Sequence, residues 1–492
     1  MSTTSATYRP ANVLSSKRYN PEYRWEVIAA GWLKGKPSTA QSILQPLSSQ
    51  LCQRIPLDIY EHIMDHMDQA SLYRAALVCQ AWHHQSIRLL YRTIEIRQRA
   101  AFSTISRPSP AARARLATSK ELRVMHRSGP LFCHAVPLTL GRAMPAVERL
   151  AFHACLQPLM HPTFARYLSA FTGVSRLEIG GFRFSNVVEL RRVLCAFPRL
   201  IYLSLSRGEF TQSVKGQDEE KKSGFMPGAG PQSLRIQTLV LGIQLSSPVL
   251  EALIDWLVMS STCRSIAHLE FWRDSLESVT SVNRLLEAIG GALLDFHEHQ
   301  GRFEKRSHVD LAHNYRLRSL EMTMSRRLTE TSGIVWPGII EELLSVLSSV
   351  RSLDMQRILI HLVCRTTTAV GQMLPLAASD SGRPPLHDVL ERSNFDLLRE
   401  VQATVELDST DMVSIEDNKA VAEMRAHKIV PYVRVLLAPW HKRGILTVTP
   451  IYWNLSPTYG EVDPSSSSGL LYAHQKVFYN PTYLPLGLLE PR

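Results

Sequence analysis

One short pattern recurs along this chain: an apolar residue, two variable residues, a leucine, one variable residue, then another apolar residue. It reads Val147-Glu-Arg-Leu150-Ala-Phe152, Val174-Ser-Arg-Leu177-Glu-Ile179, Leu200-Ile-Tyr-Leu203-Ser-Leu205 and Ile236-Gln-Thr-Leu239-Val-Leu241. It returns as Ile266-Ala-His-Leu269-Glu-Phe271, Leu317-Arg-Ser-Leu320-Glu-Met322 and Val350-Arg-Ser-Leu353-Asp-Met355. Alternation of this kind predicts a short strand with one face buried. Helix-like periodicity fills gaps between copies, over 187–197, 248–258, 281–297 and 337–347. One strand and one helix cannot bury their apolar faces alone, so the copies must stack on one another. The central leucines stand 26 to 51 residues apart, so the array is irregular.

The unit resembles the strand-and-helix unit of leucine-rich repeats, although the asparagine that ladders regular repeats is absent. The expected fold is therefore α/β, an irregular leucine-rich-repeat-like solenoid over 93–371. Thr93-Ile-Glu-Ile96 alternates like an entry strand. The polar, Gly-rich stretch 211–231 reads as a disordered insertion, and His299 to His308 as a shorter charged loop. A linker over 372–387 precedes a degenerate final repeat or cap over 388–455. That cap has strands at 403–407 and 444–448 and helices near 418–427 and 430–441. A disordered, basic N-terminal tail is expected over 1–49 and a loose C-terminal tail over 456–492.

Ahead of the array stands a compact helical block. Pro56 fits the first turn of a helix. Ile55, Ile59, Ile63 and Met67 recur at four-residue steps, one apolar stripe, with Asp58 and Glu61 suited to the helix dipole. Ser71 is the expected cap of a second helix over 72–79. A third runs from about Trp82 to Tyr91. Three helices in so few residues leave apolar surface that wants a partner.

The stretch Arg54-Ile-Pro-Leu-Asp-Ile-Tyr-Glu-His-Ile-Met-Asp65, followed by Ser71-Leu-Tyr-Arg-Ala-Ala-Leu-Val-Cys-Gln-Ala-Trp82, resembles the F-box motif. Ile55-Pro56, Asp58, Ile59, Ile63, Leu77-Val78-Cys79 and Trp82 carry the likeness, and Leu89-Leu-Tyr91 fits the fungal F-box proteins with leucine-rich repeats. Ile55 stands where the family has Leu, and Ser71 where it commonly has Asp. The resemblance covers 50–92. It implies a non-catalytic substrate adaptor that docks the Skp subunit of a Skp–cullin–F-box ubiquitin ligase and, through it, a cullin. Ile55, Pro56, Ile59, Ile63, Leu77, Val78 and Trp82 would make that contact, and Cys79 would be buried. The client protein would lie on the strand face formed by residues flanking each central leucine: Arg149, Ala151, Arg176, Glu178, Tyr202, Ser204, Thr238, Val240, His268, Glu270, Ser319, Glu321, Ser352 and Asp354. Of these, Arg176, Glu178, Tyr202, Ser204, His268, Glu270 and Glu321 are the candidate client residues. A non-ligase interaction scaffold is the alternative, and a nucleic-acid-associated factor the second.

Charge bears on that last reading. The formal net charge is +11. Much of the surplus lies between Arg88 and Arg127, where ten basic residues face only Glu95 and Glu121. A polynucleotide surface would interleave aromatics for stacking, and this stretch offers only Tyr91 and Phe102, so a solvated or partner-facing patch fits better. The cysteines are seven, scattered and without a Cys-x-x-Cys pair, the pattern of reduced thiols. No apolar run suggests a signal peptide or a membrane span, so a cytoplasmic or nuclear location is expected.

Catalytic and metal signatures are missing. His62 and His66 have a ligand-like spacing but no third partner in the sequence. Cys79 beside His83 and His84 falls in the resemblance's buried turn, and His297-Glu-His299 reads as a helix end. No phosphate loop or nucleophile elbow occurs, so no cofactor is expected.

Overall fold

The computed structural model describes residues 56–126, 131–157, 160–161, 163–212, 234–273, 276–300, 308–328, 336–366, 385–408 and 429–451. Ile55, the tails at 1–49 and 456–492, most of the 211–231 insertion, the 418–427 helix and the middle of the 299–308 loop lie outside them. The chain divides into two compact units. The first reaches Leu320 and includes Ser348–Met355; the second holds Glu321–Leu347 and residues from Gln356 onward.

The first unit begins with α1 (Leu57–Asp65), α2 (Gln69–Ala75) and α3 (Gln80–Arg92). α2 is capped by Asp68, whose carboxylate accepts the Ser71 N–H at 2.6 Å. Ser71 is thus the third residue of the helix and not its cap; Asp outcompetes Ser here because a carboxylate is a charged acceptor. The three helices close on a small core of Tyr60, Met64 and Leu72, with Met67, Trp82, Leu89 and Leu90 packed around it.

Strand and helix then alternate. β1 (Thr93–Ile96) is followed by α4 (Arg99–Ile105), α5 (Pro110–Leu116) and β2 (Glu121–Met125). Then come α6 (Val136–Leu140), β3 (Arg149–His153), α7 (Phe164–Leu168), β4 (Arg176–Phe184), α8 (Val187–Cys195), β5 (Tyr202–Phe210) and β6 (Thr238–Leu241). α9 (Ser247–Met259), β7 (His268–Arg273), α10 (Leu276–Ile289) and β8 (Asp295–Gln300) complete the series. The eight strands lie in the sheet in chain order, all ladders parallel. Ile94, Leu122, Leu150, Leu177, Leu203, Leu239, Leu269 and Phe296 meet in register as one buried row. Ile96, Val124, Phe152, Ile179, Leu205, Leu241 and Phe271 form a second. Each such side chain contributes about 1.5–3 kcal/mol by leaving water.

In the second unit the sheet order runs from β9 (Ser319–Leu328) through β10 (Arg357–Thr366) and β11 (Glu400–Asp408) to β12 (Leu446–Ile451). Helices α11 (Trp336–Ser349), α12 (Pro385–Leu390), α13 (429–436) and α14 (Ala438–Lys442) stand between them. α12 begins inside the stretch expected as linker. Trp440 is fully buried, donates its indole N–H to the Leu390 carbonyl at 3.2 Å and meets Phe395 edge-on.

Two expectations are corrected. The copy at Val350–Met355 is not a strand. Leu353 is 60% exposed, and Ser352 and Asp354 lie ahead of β10, outside any ladder. The sequence offers an overlapping copy five residues on, Met355-Gln-Arg-Ile358-Leu-Ile360, whose Met355, Ile358, Ile360 and Leu362 are all buried. Its longer, β-branched alternation wins the register. Nor does one helix span 281–297. Gly290, at φ +57°, ends α10, and the next residues alternate into β8, so His297 and His299 are strand residues.

Candidate functional site

The sheet face opposite the apolar rows is built by register. Thr93, Glu121, Arg149, Arg176, Tyr202, Thr238, His268 and Asp295 pair in succession across β1–β8. Glu95, Arg123, Ala151, Glu178, Ser204, Val240, Glu270 and His297 form the next row. Ala151 and Val240, expected to line the client face, are buried there, since small or β-branched groups beside longer neighbours are covered by them.

The charged members bind one another. Arg149 donates through Nε (2.9 Å) and Nη2 (2.5 Å) to Glu178 Oε1, and its Nε lies 3.5 Å from Glu121 Oε1. Glu121 also pairs with Arg123 at 2.7 Å and accepts the Thr93 hydroxyl at 3.1 Å. Burial works to lower the Arg149 pKa, but the Glu178 and Glu121 carboxylates outweigh it and raise it. The Arg176 guanidinium lies over the Tyr202 ring, 5.7 Å from its centroid. Further along, His268 Nδ1 is 2.6 Å from Asp295 Oδ2. Glu270 accepts the Trp272 indole N–H at 3.1 Å and faces His299 Nε2 at 3.4 Å, while the Trp272 and His299 rings stack at 4.5 Å. Burial pushes the Glu270 carboxyl up, yet the bonds from His299 and Trp272 hold it below its ordinary value. Ser204 is half-buried among these neighbours. Glu321 belongs to the second unit, where His361 Nε2 stands 3.1 Å from its carboxylate and His361 Nδ1 2.5 Å from the Thr404 hydroxyl.

On the helical trio the apolar residues divide differently. α1 carries two apolar pairs at four-residue spacing, one residue out of step. Tyr60 and Met64 turn inward; Ile59 (47%) and Ile63 (46%) therefore face out. The α2–α3 turn puts Leu77 (73%) and Val78 (64%) in solvent as well. Pro56, just before α1, is exposed. Trp82 is half-buried, its ring 5.4 Å from that of Tyr60, so part of it serves the trio's own core. Cys79 is exposed, not buried: it caps α3 in extended conformation at the end of the same open turn.

A family model matches this segment. Residues 52–89 are an F-box domain. Among curated proteins none matches the chain. F-box domains generally bind the Skp subunit of Skp–cullin–F-box ligases, and F-box proteins are usually non-catalytic adaptors.

Beyond the F-box, two strands escaped the sequence pattern. In β2 a serine, Ser119, fully buried, occupies the leading apolar place before Leu122 and Val124. In β8 the closing apolar place holds Glu298, buried and facing Arg273 Nη1 at 3.4 Å. These strands supply Glu121, Asp295 and His299, which complete the charged ladders; Lys120-Glu-Leu-Arg-Val124 alternation was the available signal for the first. His62 and His66 touch ring to ring at 4.8 Å, but among the described residues no group of three His, Cys, Asp or Glu could hold a metal. No described helix is long and apolar enough to cross a membrane.

Proposed function

We propose that this chain is the substrate-recognition adaptor of a Skp–cullin–F-box ubiquitin ligase. Its F-box docks the Skp subunit, and the leucine-rich-repeat-like strand–helix array beyond 93 takes the client protein. The observation that carries the reading is an F-box match whose Ile59, Ile63, Leu77 and Val78 are left in solvent. Aliphatic groups that a small bundle leaves uncovered are what a partner's helices bury. Pro56, Ile55 and the exposed part of Trp82 would extend that contact.

The client would meet the sheet face of the first unit at Arg176, Glu178, Tyr202, Ser204, His268 and Glu270; Glu321, on the second unit, is proposed as a client residue in its own right. The ion pairs there hold the side chains in fixed rotamers, which lowers the ordering cost of binding a protein surface. Tethering would raise the client's local concentration at the ligase, so the chain itself needs no catalytic group and no cofactor. A cytoplasmic or nuclear setting and a fungal type belong to the same proposal.

The test is titration of the full chain with recombinant Skp subunit by calorimetry. Wild type should bind, and Ile59→Asp with Ile63→Asp should abolish binding while circular dichroism stays unchanged. A wild-type chain with no affinity for the Skp subunit overturns the reading.

A further inference from the structure

The basic run that begins at the end of the F-box does not disperse in the fold. α3 ends with Arg88 and Arg92 one turn apart on its exposed side. α5 packs against α3 and carries Arg113 and Arg115, both exposed. The two helices are joined there by Arg115, whose guanidinium lies over the buried Tyr91 ring, 5.8 Å from its centroid. Arg99 on α4 and Arg107 between α4 and α5 are exposed too. From Ile96 to Lys120 the sequence holds no Asp or Glu. Elsewhere in the run the cations are used: Arg97 pairs with Glu95, Lys120 with Glu148, and Arg123 with Glu121. Arg88, Arg92, Arg99, Arg107, Arg113 and Arg115 meet no carboxylate within ion-pair distance among the described residues. Like charges gathered without counter-charge cost stability, so this face is matched by charge only when something acidic covers it.

We propose that the α3–α5 face, centred on Arg88, Arg92 and Arg115, with Arg113 on the same short helix, is a docking surface for an acidic peptide segment of a partner protein. Arginine suits this role because its planar fork takes carboxylates two bonds at a time and stays charged. A polynucleotide fits less well. The aromatics of the region, Tyr91 and Phe102, are buried and offer no stacking platform. α5 has seven residues, little to lay into a duplex groove. A lipid surface would want large apolar side chains beside the arginines, and α5 exposes only the small Pro110, Ala111 and Ala114 there. These arginines are not among the apolar groups proposed for Skp docking, and the proposal does not depend on it.

The test uses the full chain and three labelled probes: a glutamate-rich peptide, a single-stranded oligonucleotide of equal formal charge, and phosphatidylserine vesicles. Fluorescence anisotropy and vesicle co-sedimentation read binding across a salt series. The peptide should bind with a salt-dependent Kd tighter than either other probe. The quadruple variant Arg88→Gln, Arg92→Gln, Arg113→Gln, Arg115→Gln should weaken it at least tenfold. The control variant Arg166→Gln, Arg199→Gln, which removes two exposed arginines elsewhere, should leave it unchanged. Equal loss in the control, no loss in the quadruple variant, or tighter binding of the oligonucleotide or vesicles overturns the proposal. Circular dichroism and Skp binding check that the quadruple variant is folded.

Discussion

The F-box and the parallel sheet handle the same kind of residue in opposite ways. In the sheet, Leu150, Leu177, Leu203 and Leu239 are fully buried, each pressed between the rows of neighbouring strands. In the F-box, Ile59, Ile63, Leu77 and Val78 stand about half exposed or more. The difference is one of size. Every strand the sheet adds covers the one before it, whereas three short helices close over Tyr60, Met64 and Leu72 and have nothing left for the remaining aliphatics. An aliphatic residue in the sheet therefore serves stability, and one on the F-box rim is free to serve binding.

Placing charge on the rim should separate those roles most sharply. Ile59→Asp with Ile63→Asp should cost at least about 100-fold in Skp affinity, the scale of two interface hot spots, with little change in urea unfolding. Substantial unfolding by this pair would erase the distinction. The converse variant is Leu177→Ala. It should lower stability by about 2–5 kcal/mol in urea unfolding through the cavity it leaves, while Skp affinity stays within twofold.

How far the sequence reveals this contrast differs between the regions. Strands β3 to β7 and β9 sit where the apolar pattern places them, because Val, Leu, Ile and Phe at alternate positions fix which side is buried. The pattern fails where a polar residue is itself buried. Ser119 and Glu298 take apolar places, and only the fold shows that both are buried and that the Arg273 guanidinium faces Glu298. It also fails where two registers overlap, as at Val350 and Met355. On the F-box, Ile59 and Ile63 form a stripe as good as Tyr60 and Met64, and periodicity cannot say which faces inward. The Arg149–Glu178 pair is invisible in the sequence, since its partners are 29 residues apart and meet only through strand register.

The sheet face should also respond to acid, and more weakly. Burial holds the His153 pKa below its ordinary value of 6.5, with Arg207 and Arg123 adding to the effect and Glu178 opposing it. A group of this kind binds more protons unfolded than folded below pH 6.5, so stability is full above that pH and is lost as pH falls below it. His153→Gln should therefore flatten the pH dependence of unfolding between pH 7.5 and 5, by at most about 1 kcal/mol given the partial exposure of the ring. A variant with the wild-type slope would mean that the imidazole is solvated in the folded chain.

The smallest effect is expected at Asp68 on the F-box. The Ser71 backbone N–H, and then its hydroxyl, hold this carboxyl below its ordinary value of 3.8. A depressed carboxylate contributes stability above its unfolded pKa, and that contribution is lost as pH falls through the folded value. Asp68→Ala should thus lower the Tm slightly at pH 7, and the gap from wild type should close as the pH falls below the ordinary carboxyl value and through the lower folded one. Because α2 sets up the turn that exposes Leu77 and Val78, the same variant should weaken Skp binding modestly at neutral pH, far less than the isoleucine pair does. Asp68→Asn, which keeps an acceptor for the Ser71 N–H without the charge, should restore most of both. If it restores neither, the charge and not the hydrogen bond holds the start of α2, and salt should then reduce the Asp68→Ala defect.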